Sequence, residues 1–252
     1  EIDGLIEFTK LVYDKVFKFP YVAKLATRPE KFMGEKETWD AAEATLAAVL
    51  DEQEIQFSFD HGGVAFYGPK IDFHIKDVLG RSWQCATIQV DFHMPEKFDL
   101  HYIGEDNTKH RPVIIHRVIY GSIERFLGIL IEHFAGKFPL WIAPIQVRIL
   151  TVADRFEKYA NKIKEELEQN NIRVEVDART ESVGYKVREA QSQKIPLILT
   201  VGEKEEKNKV VAVRTLDNKV YFDVKVEDLV KKILENIEER KVKVEIKKWN
   251  LD

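Results

Sequence analysis

The run SWQCATIQVDF (82–92) places polar groups where they could line a pocket. Strict alternation along a strand puts Gln84, Ala86, Ile88 and Val90 on one face, and Cys85, Thr87, Gln89 and Asp91 on the other. Thr87 and Gln89 would then stand side by side as a pocket floor, although a sheet with one solvated face gives the same pattern. Arg125 lies in the first turn of the apolar run SIERFLGILIEHF. Its planar donor fork suits phosphate, and its long stem equally lets it reach water from an apolar face. Lys70 follows a Gly–Pro turn in FYGPKIDF, a rigid mount from which to meet a phosphate or a carboxylate; an ordinary surface lysine is the alternative. His116, in RPVIIHRVIYG, follows three apolar residues and by itself reads as a hydrogen-bonded core histidine. The seven histidines include no i, i+4 pair, and the residues alone assemble no metal site.

The common nucleotide signatures are missing. There is no GxxxxGK[ST] loop, no GxGxxG after a strand, no HExxH and no GxSxG, so a phosphate-handling site must be built another way. Lys204, Lys207, Lys209 and Arg214 make one stretch basic, but Glu203, Glu205 and Glu206 interleave with them, which is not a clean nucleic-acid patch. The Lys-rich tail at 241–248 reads as a solvated end.

These residues need elements to hold them. The 252 residues, 44% apolar, suffice for one large domain or two smaller ones and exclude a disordered chain. The single cysteine, Cys85, excludes an internal disulfide framework and a multi-cysteine metal site. No apolar stretch reaches the ~20 residues of a membrane span, and no signal peptide opens the chain. A soluble, reducing, cytoplasmic setting is therefore expected, and Glu1 in place of Met suggests a piece of a longer protein. Net charge is −6 over residues 1–140 and +2 over 141–252, which suggests two domains meeting in LWIAPIQV between Pro139 and Pro144. In the first, helices are expected over 1–17, 38–53 and 122–136, with strands in 70–80, 81–92 and 98–104; a turn at 77–80 would make the first two strands an antiparallel hairpin. This is an α+β domain on an antiparallel sheet. In the second, strands at 147–152, 172–176 and 196–202 alternate with a helix capped by Asp154 and another entered at Gly184. A hairpin around Asp217–Asn218 and a helix over 227–240 follow, giving an α/β sheet of about five strands.

Taken in order, LATRPEKFMG (25–34), AFYGPKIDF (65–73), WQCATIQVDF (83–92), YIGEDN (102–107) and PVIIHRVIYGSIERFLGIL (112–130) resemble threonyl-tRNA synthetase, a class II aminoacyl-tRNA synthetase. The last string is similar to that class's motif 3. The resemblance runs across essentially the whole chain. It implies the C-terminal part of a class II catalytic core (1–140) followed by an anticodon-binding α/β domain with a mixed five-stranded sheet (141–252). The implied activity is that of a threonine–tRNA ligase in protein biosynthesis: activation of threonine with ATP and Mg2+, then transfer to tRNA(Thr), by a cytoplasmic homodimer not tied to a membrane. Residue by residue, it implies that Arg125 binds ATP phosphate and that Gln84 and Thr87 lie near the adenosine. Tyr67, Gln89 and Ser122 line the threonine pocket, and Lys70 stands near the reacting carboxylate and phosphate. His116 becomes a zinc ligand, the metal holding the amino and hydroxyl groups of threonine and so rejecting valine. Thr180, Glu205 and Arg214 match anticodon-contacting positions, with Thr180 standing where bacterial relatives tend to carry Asn. Motif 1, motif 2 with its arginine, and the other two zinc ligands are not found, so this chain alone is not expected to activate threonine. A tRNA-binding module without catalysis and a class II synthetase of another specificity, prolyl above all, remain as alternatives.

Overall fold

The computed structural model describes residues 1–243; the remainder of the Lys-rich tail lies outside the described residues. The contacts divide the chain into two compact units, Glu1–His133 and Phe134–Asp252.

The first unit is built on a five-stranded sheet in the order β2-β1-β3-β4-β7. Its strands are β1 (Tyr21–Thr27), β2 (Phe57–His61), β3 (Lys70–Lys76), β4 (Ser82–Asp91) and β7 (Ile114–Val118). β3 and β4 form the expected hairpin, and β7 pairs antiparallel with β4. The antiparallel expectation fails at one edge, where β1 and β2 run parallel. Neither of those strands was anticipated: YVAKLAT and FSFDH are short and carry too little alternation to stand out. The expected strand at 98–104 is reduced to β5 (Tyr102–Ile103), paired with β6 (Lys109–His110) in a separate ribbon. The residues before it close a short helix, α3 (His93–Lys97), after which Asp99 turns the chain with a left-handed backbone, φ 47°.

Three longer helices accompany the sheet. α1 (Ile2–Lys10) continues into a wider π-type winding over Leu11–Phe17, so the opening segment is helical as expected but not uniformly α. It carries the fully buried Tyr13, whose hydroxyl donates to the Ile119 carbonyl at 2.6 Å. α2 (Lys36–Glu52) buries Trp39, Ala42, Leu46 and Leu50 along one face, an i, i+3, i+4 stripe. α4 (Ile123–Phe134) follows β7.

The second unit is a mixed sheet, β12-β11-β10-β8-β9. β8 (Val147–Thr151) is buried at every position and lies parallel to both β9 (Val174–Asp177) and β10 (Leu197–Val201), the pattern of a central strand covered on both faces. β11 (Val210–Thr215) and β12 (Val220–Lys225) add the hairpin around Asp217–Asn218, with Asn218 at φ 63°. Val147, Ile149, Leu197, Leu199, Val211 and Val213 meet Ile163 and Leu167 of α5 (Glu157–Gln169) and Leu229 and Ile233 of α8 (Val226–Glu238) in one core. Helix starts differ from expectation. Asp154 opens a single 3-10 turn, Asp154–Phe156, and no side chain caps α5. α6 (Val183–Ser192) is capped by Ser182, whose hydroxyl accepts the Tyr185 N–H, so Gly184 lies inside the helix. A six-residue helix, α7 (Glu203–Asn208), was not anticipated.

Candidate functional site

β3 sends Ile71, Phe73 and Ile75 into the core, leaving Lys70 and Asp72 on its other face. Asp72, only 3% exposed, is the hub of the first cluster. Its Oδ2 lies 2.7 Å from Lys70 Nζ, and its Oδ1 accepts from Gln84 Nε2 and Thr87 Oγ1, both at 2.7 Å. Strict alternation cannot place Gln84 beside Thr87, and the structure corrects that reading. A β-bulge sets Phe73 opposite Ala86 but His74 opposite Gln84, so Cys85 is an extra residue. Cys85 and Ala86 are both buried, and Gln84 is turned onto the face that carries Thr87 and Gln89. Burial also pushes the Cys85 thiol up to about 11, against the pull of Arg125, so it is no thiolate at neutral pH.

Gln89 anchors a second group. Its Oε1 accepts the Tyr67 hydroxyl at 2.9 Å and its Nε2 donates to the Gly68 carbonyl at 3.1 Å. Only glycine fits at 68: a Cβ there would stand 1.7 Å from the Val90 carbonyl oxygen. That close approach seats the Gly–Pro turn on β4, where the Val90 N–H donates to the Pro69 carbonyl at 3.0 Å. Lys70 itself opens β3, and Asp72 takes up its charge.

His116 stands opposite Gln89 in the β4–β7 register, its ring 6.0 Å from that of Tyr67 in an edge contact. It is an exposed residue rather than a core one, with its Nε2 2.8 Å from Asp91 Oδ2. Asp91 is 1% exposed, and its Oδ1 accepts the backbone N–H groups of His93 and Met94, each at 2.9 Å. Burial acts to raise the Asp91 pKa, but the His116 bond and the two backbone donors outweigh it and hold the carboxyl below its ordinary value. Arg125 is exposed at the start of α4. Its guanidinium donates to the Gln84 carbonyl at 3.3 Å and lies 5.6 Å from the Trp83 ring, while Ser122 Oγ accepts its backbone N–H at 3.2 Å.

One face of β3, β4 and β7 thus carries two groups, Lys70, Gln84 and Thr87 around Asp72, and Tyr67 and His116 around Gln89, with Arg125 on the Gln84 carbonyl and Ser122 beside it at the helix start. Two residues that hold it together were not singled out from sequence: Asp72 and Asp91. The signal for Asp72 was its i, i+2 position relative to Lys70 in KIDFHI. The face offers a cation with its planar fork open to solvent, and neutral donors and acceptors for a small polar ligand. It does not complete a zinc site: among the described residues no three His, Cys, Asp or Glu side chains group to hold a metal, and His116 is a single donor.

In the second unit, Thr180 is exposed on the loop after β9 and lines a cleft of about 350 Å³ with Val152, Asp154 and Ser182. The neighbouring Arg179 tethers that loop to Asp177 at 2.7 Å and to Glu189 at 2.5 Å. Glu205 accepts the Gly202 N–H at 3.0 Å and so caps its own helix, α7. Arg214, on β11, is half-buried. No hydrogen bond joins Thr180, Glu205 and Arg214 among the described residues.

Residues 1–134 match the family model of the tRNA synthetase class II core domain (G, H, P, S and T). The chain belongs to the class II tRNA synthetase core family. Behind that core, residues 146–236 match an anticodon-binding domain. The class II chain is 52% identical over 240 residues to a threonine–tRNA ligase of Desulfatibacillum aliphaticivorans, an alignment covering 95% of it and 38% of that relative. It therefore spans well under half of the relative's length. Among solved structures it is similar to the RNA binding domain of threonyl-tRNA synthetase from Cryptosporidium parvum, with a TM-score of 0.87 and 32% identity over 93% of this chain and 59% of that one. A prolyl-tRNA synthetase from the same organism shares the fold alone, at 19% identity and a TM-score of 0.60, covering 95% of this chain and 46% of that one.

Proposed function

We propose that the chain is the part of a threonine–tRNA ligase that carries the motif 3 face of the catalytic core (residues 1–140) and the anticodon-binding domain (141–252). The observation that carries this is the 52% identity to a threonine–tRNA ligase along 95% of the chain. Likeness to the prolyl enzyme reaches only the fold, which disfavours that specificity.

In this reading the threonine carboxylate attacks the α-phosphate of ATP, pyrophosphate leaves, and the aminoacyl group then passes to the terminal ribose of tRNA(Thr) with release of AMP. Arg125, its guanidinium held over β4 by Gln84 and Trp83, meets the ATP phosphates, where a fixed cation stabilises charge on the transferring group. Gln84 and Thr87, locked by Asp72, face the adenosine. Lys70 is held by the same carboxylate beside the reacting groups. Tyr67, Gln89 and Ser122 line the amino-acid pocket; the Tyr67–Gln89 bond sets its wall before substrate arrives. Mg2+ accompanies ATP. Zinc would take His116 as one donor and needs two more from outside this chain. Thr180, Glu205 and Arg214 face the anticodon, and the parent protein works as a cytoplasmic homodimer. Because the motif 2 stretch lies outside this chain, the parent is the form to assay.

The test is amino-acid-dependent ATP–pyrophosphate exchange by the full-length parent with threonine, serine, valine and proline, with His116→Ala alongside. Exchange is expected to be fastest with threonine and to collapse in the variant. A folded parent that binds tRNA yet exchanges with no amino acid would leave the non-catalytic module as the function.

A further inference from the structure

The contact between Asp91 and His116 determines more than the orientation of a ring. A neutral imidazole carries its proton on either nitrogen, and the hydrogen bond made by one nitrogen decides which atom is left with a lone pair. Asp91 is almost without exposure to water, and a carboxylate whose Oδ1 already accepts two backbone N–H groups acts as an acceptor only. Its Oδ2, 2.8 Å from His116 Nε2, therefore demands a proton on that nitrogen. The carboxylate cannot rotate away, because Oδ1 is committed to the N–H groups of His93 and Met94 at the start of α3. On its other side the imidazole meets the Tyr67 ring in a T-shaped contact, centroids 6.0 Å apart.

We infer that Asp91 is a positioning residue that locks His116 as the Nε2–H tautomer, leaving Nδ1 as the atom through which His116 takes a metal ion or a substrate donor. The use of that lone pair by a ligand rests on the function proposed above; the tautomer does not. The arrangement is the one by which carboxylates orient metal-binding histidines, with the outer partner setting ring and tautomer together.

The same geometry makes Asp91→Asn a sharp probe. The amide oxygen of the variant must stay on the two backbone donors, which accept no substitute, so its NH2 turns to His116. A group that accepted a proton now offers one. The ring is expected to respond by moving its own proton to Nδ1, leaving Nε2 as acceptor.

The measurement is long-range proton–nitrogen correlation NMR on the chain labelled with 15N in its histidine rings, at pH 8.5, with the His116→Gln spectrum identifying the resonance. The native chain is expected to show one tautomer at His116, protonated at Nε2, and Asp91→Asn the reverse. Asp91→Ser, which removes the demanding acceptor, is expected to show both tautomers. A native ring protonated at Nδ1 or mixed between tautomers, or one that keeps its Nε2 proton unchanged in Asp91→Asn, overturns the inference. If Asp91→Asn does not fold, the native and Asp91→Ser spectra decide between the same outcomes. None of these readings depends on threonine, ATP or tRNA, so the inference and the proposed activity can fail separately.

Discussion

Replacing Asp72 by Asn tests whether the polar face is one unit. The Asp72 and Lys70 side chains are 4% and 15% exposed and 2.7 Å apart, so water screens the pair little. The other oxygen accepts from Gln84 and Thr87, so every direction around the carboxylate holds a donor. The amide of Asp72→Asn must aim its NH2 at one of them, and Lys70 loses its counter-charge. Removing one partner of a buried pair costs about 3–5 kcal/mol, and the low end suits a lysine that keeps some contact with solvent. At about 3 kcal/mol and about 3 °C per kcal/mol, the unfolding transition of the first unit is expected to fall by about 10 °C. Thermal unfolding followed by near-UV circular dichroism reads this directly, since Trp83 and Tyr67 flank the cluster. Lys70→Met should partly repair the damage by removing the orphaned cation, so the double variant should be more stable than the sum of the singles by at least about 1 kcal/mol. An Asp72→Asn transition within about 2 °C of the native one, or an additive cycle, would refute the reasoning.

Other expectations concern the second unit. Arg179 beside Asp177 holds that carboxyl below its ordinary value against the effect of burial. A depressed pKa contributes stability that is present above the unfolded carboxylate value of about 4 and is lost as pH falls through the folded one. The gap between native and Asp177→Asn urea midpoints should hold steady from about pH 5 to 8 and close below about pH 4; a gap that widened in acid would reverse the assignment. Arg214→Ala should leave stability within about 0.5 kcal/mol and weaken binding of an anticodon stem-loop by about 1–3 kcal/mol in a titration at fixed salt; unchanged affinity would remove Arg214 from the interface.

Much of this was legible in the residues because period and punctuation agreed. KIDFHI, the Asp77–Gly80 turn and the following strand read as a hairpin, and VRILTV read as a strand, as it proved to be. What stayed hidden was non-local. The bulge at Cys85 leaves no mark in SWQCATIQVDF, since its cause is the partner strand and the packing beneath it. Glu205 stands in the sequence as one of three glutamates among lysines, and its cap on α7 needs the helix to be known. Asp91 gains its role from α3, a five-residue helix below the length at which periodicity says anything. His116 read as a core residue because its apolar neighbours precede it, yet β7 is an edge strand and leaves it exposed.

The extra residue in β4 also divides that strand into two reading frames. Thr87, Gln89 and Asp91 keep one phase with β7, while Ser82–Gln84 keep another with the far end of β3. A one-residue slip inside Thr87–Asp91 would exchange the whole pocket floor for the core, as in any regular strand. At Cys85 the phase change is already absorbed. A change in the length of the outer half of the hairpin, with its turn, would therefore reach the polar face only through Trp83 and Gln84, the two residues that meet Arg125. The strand behaves as a vernier, coarse at the turn and unforgiving at the pocket.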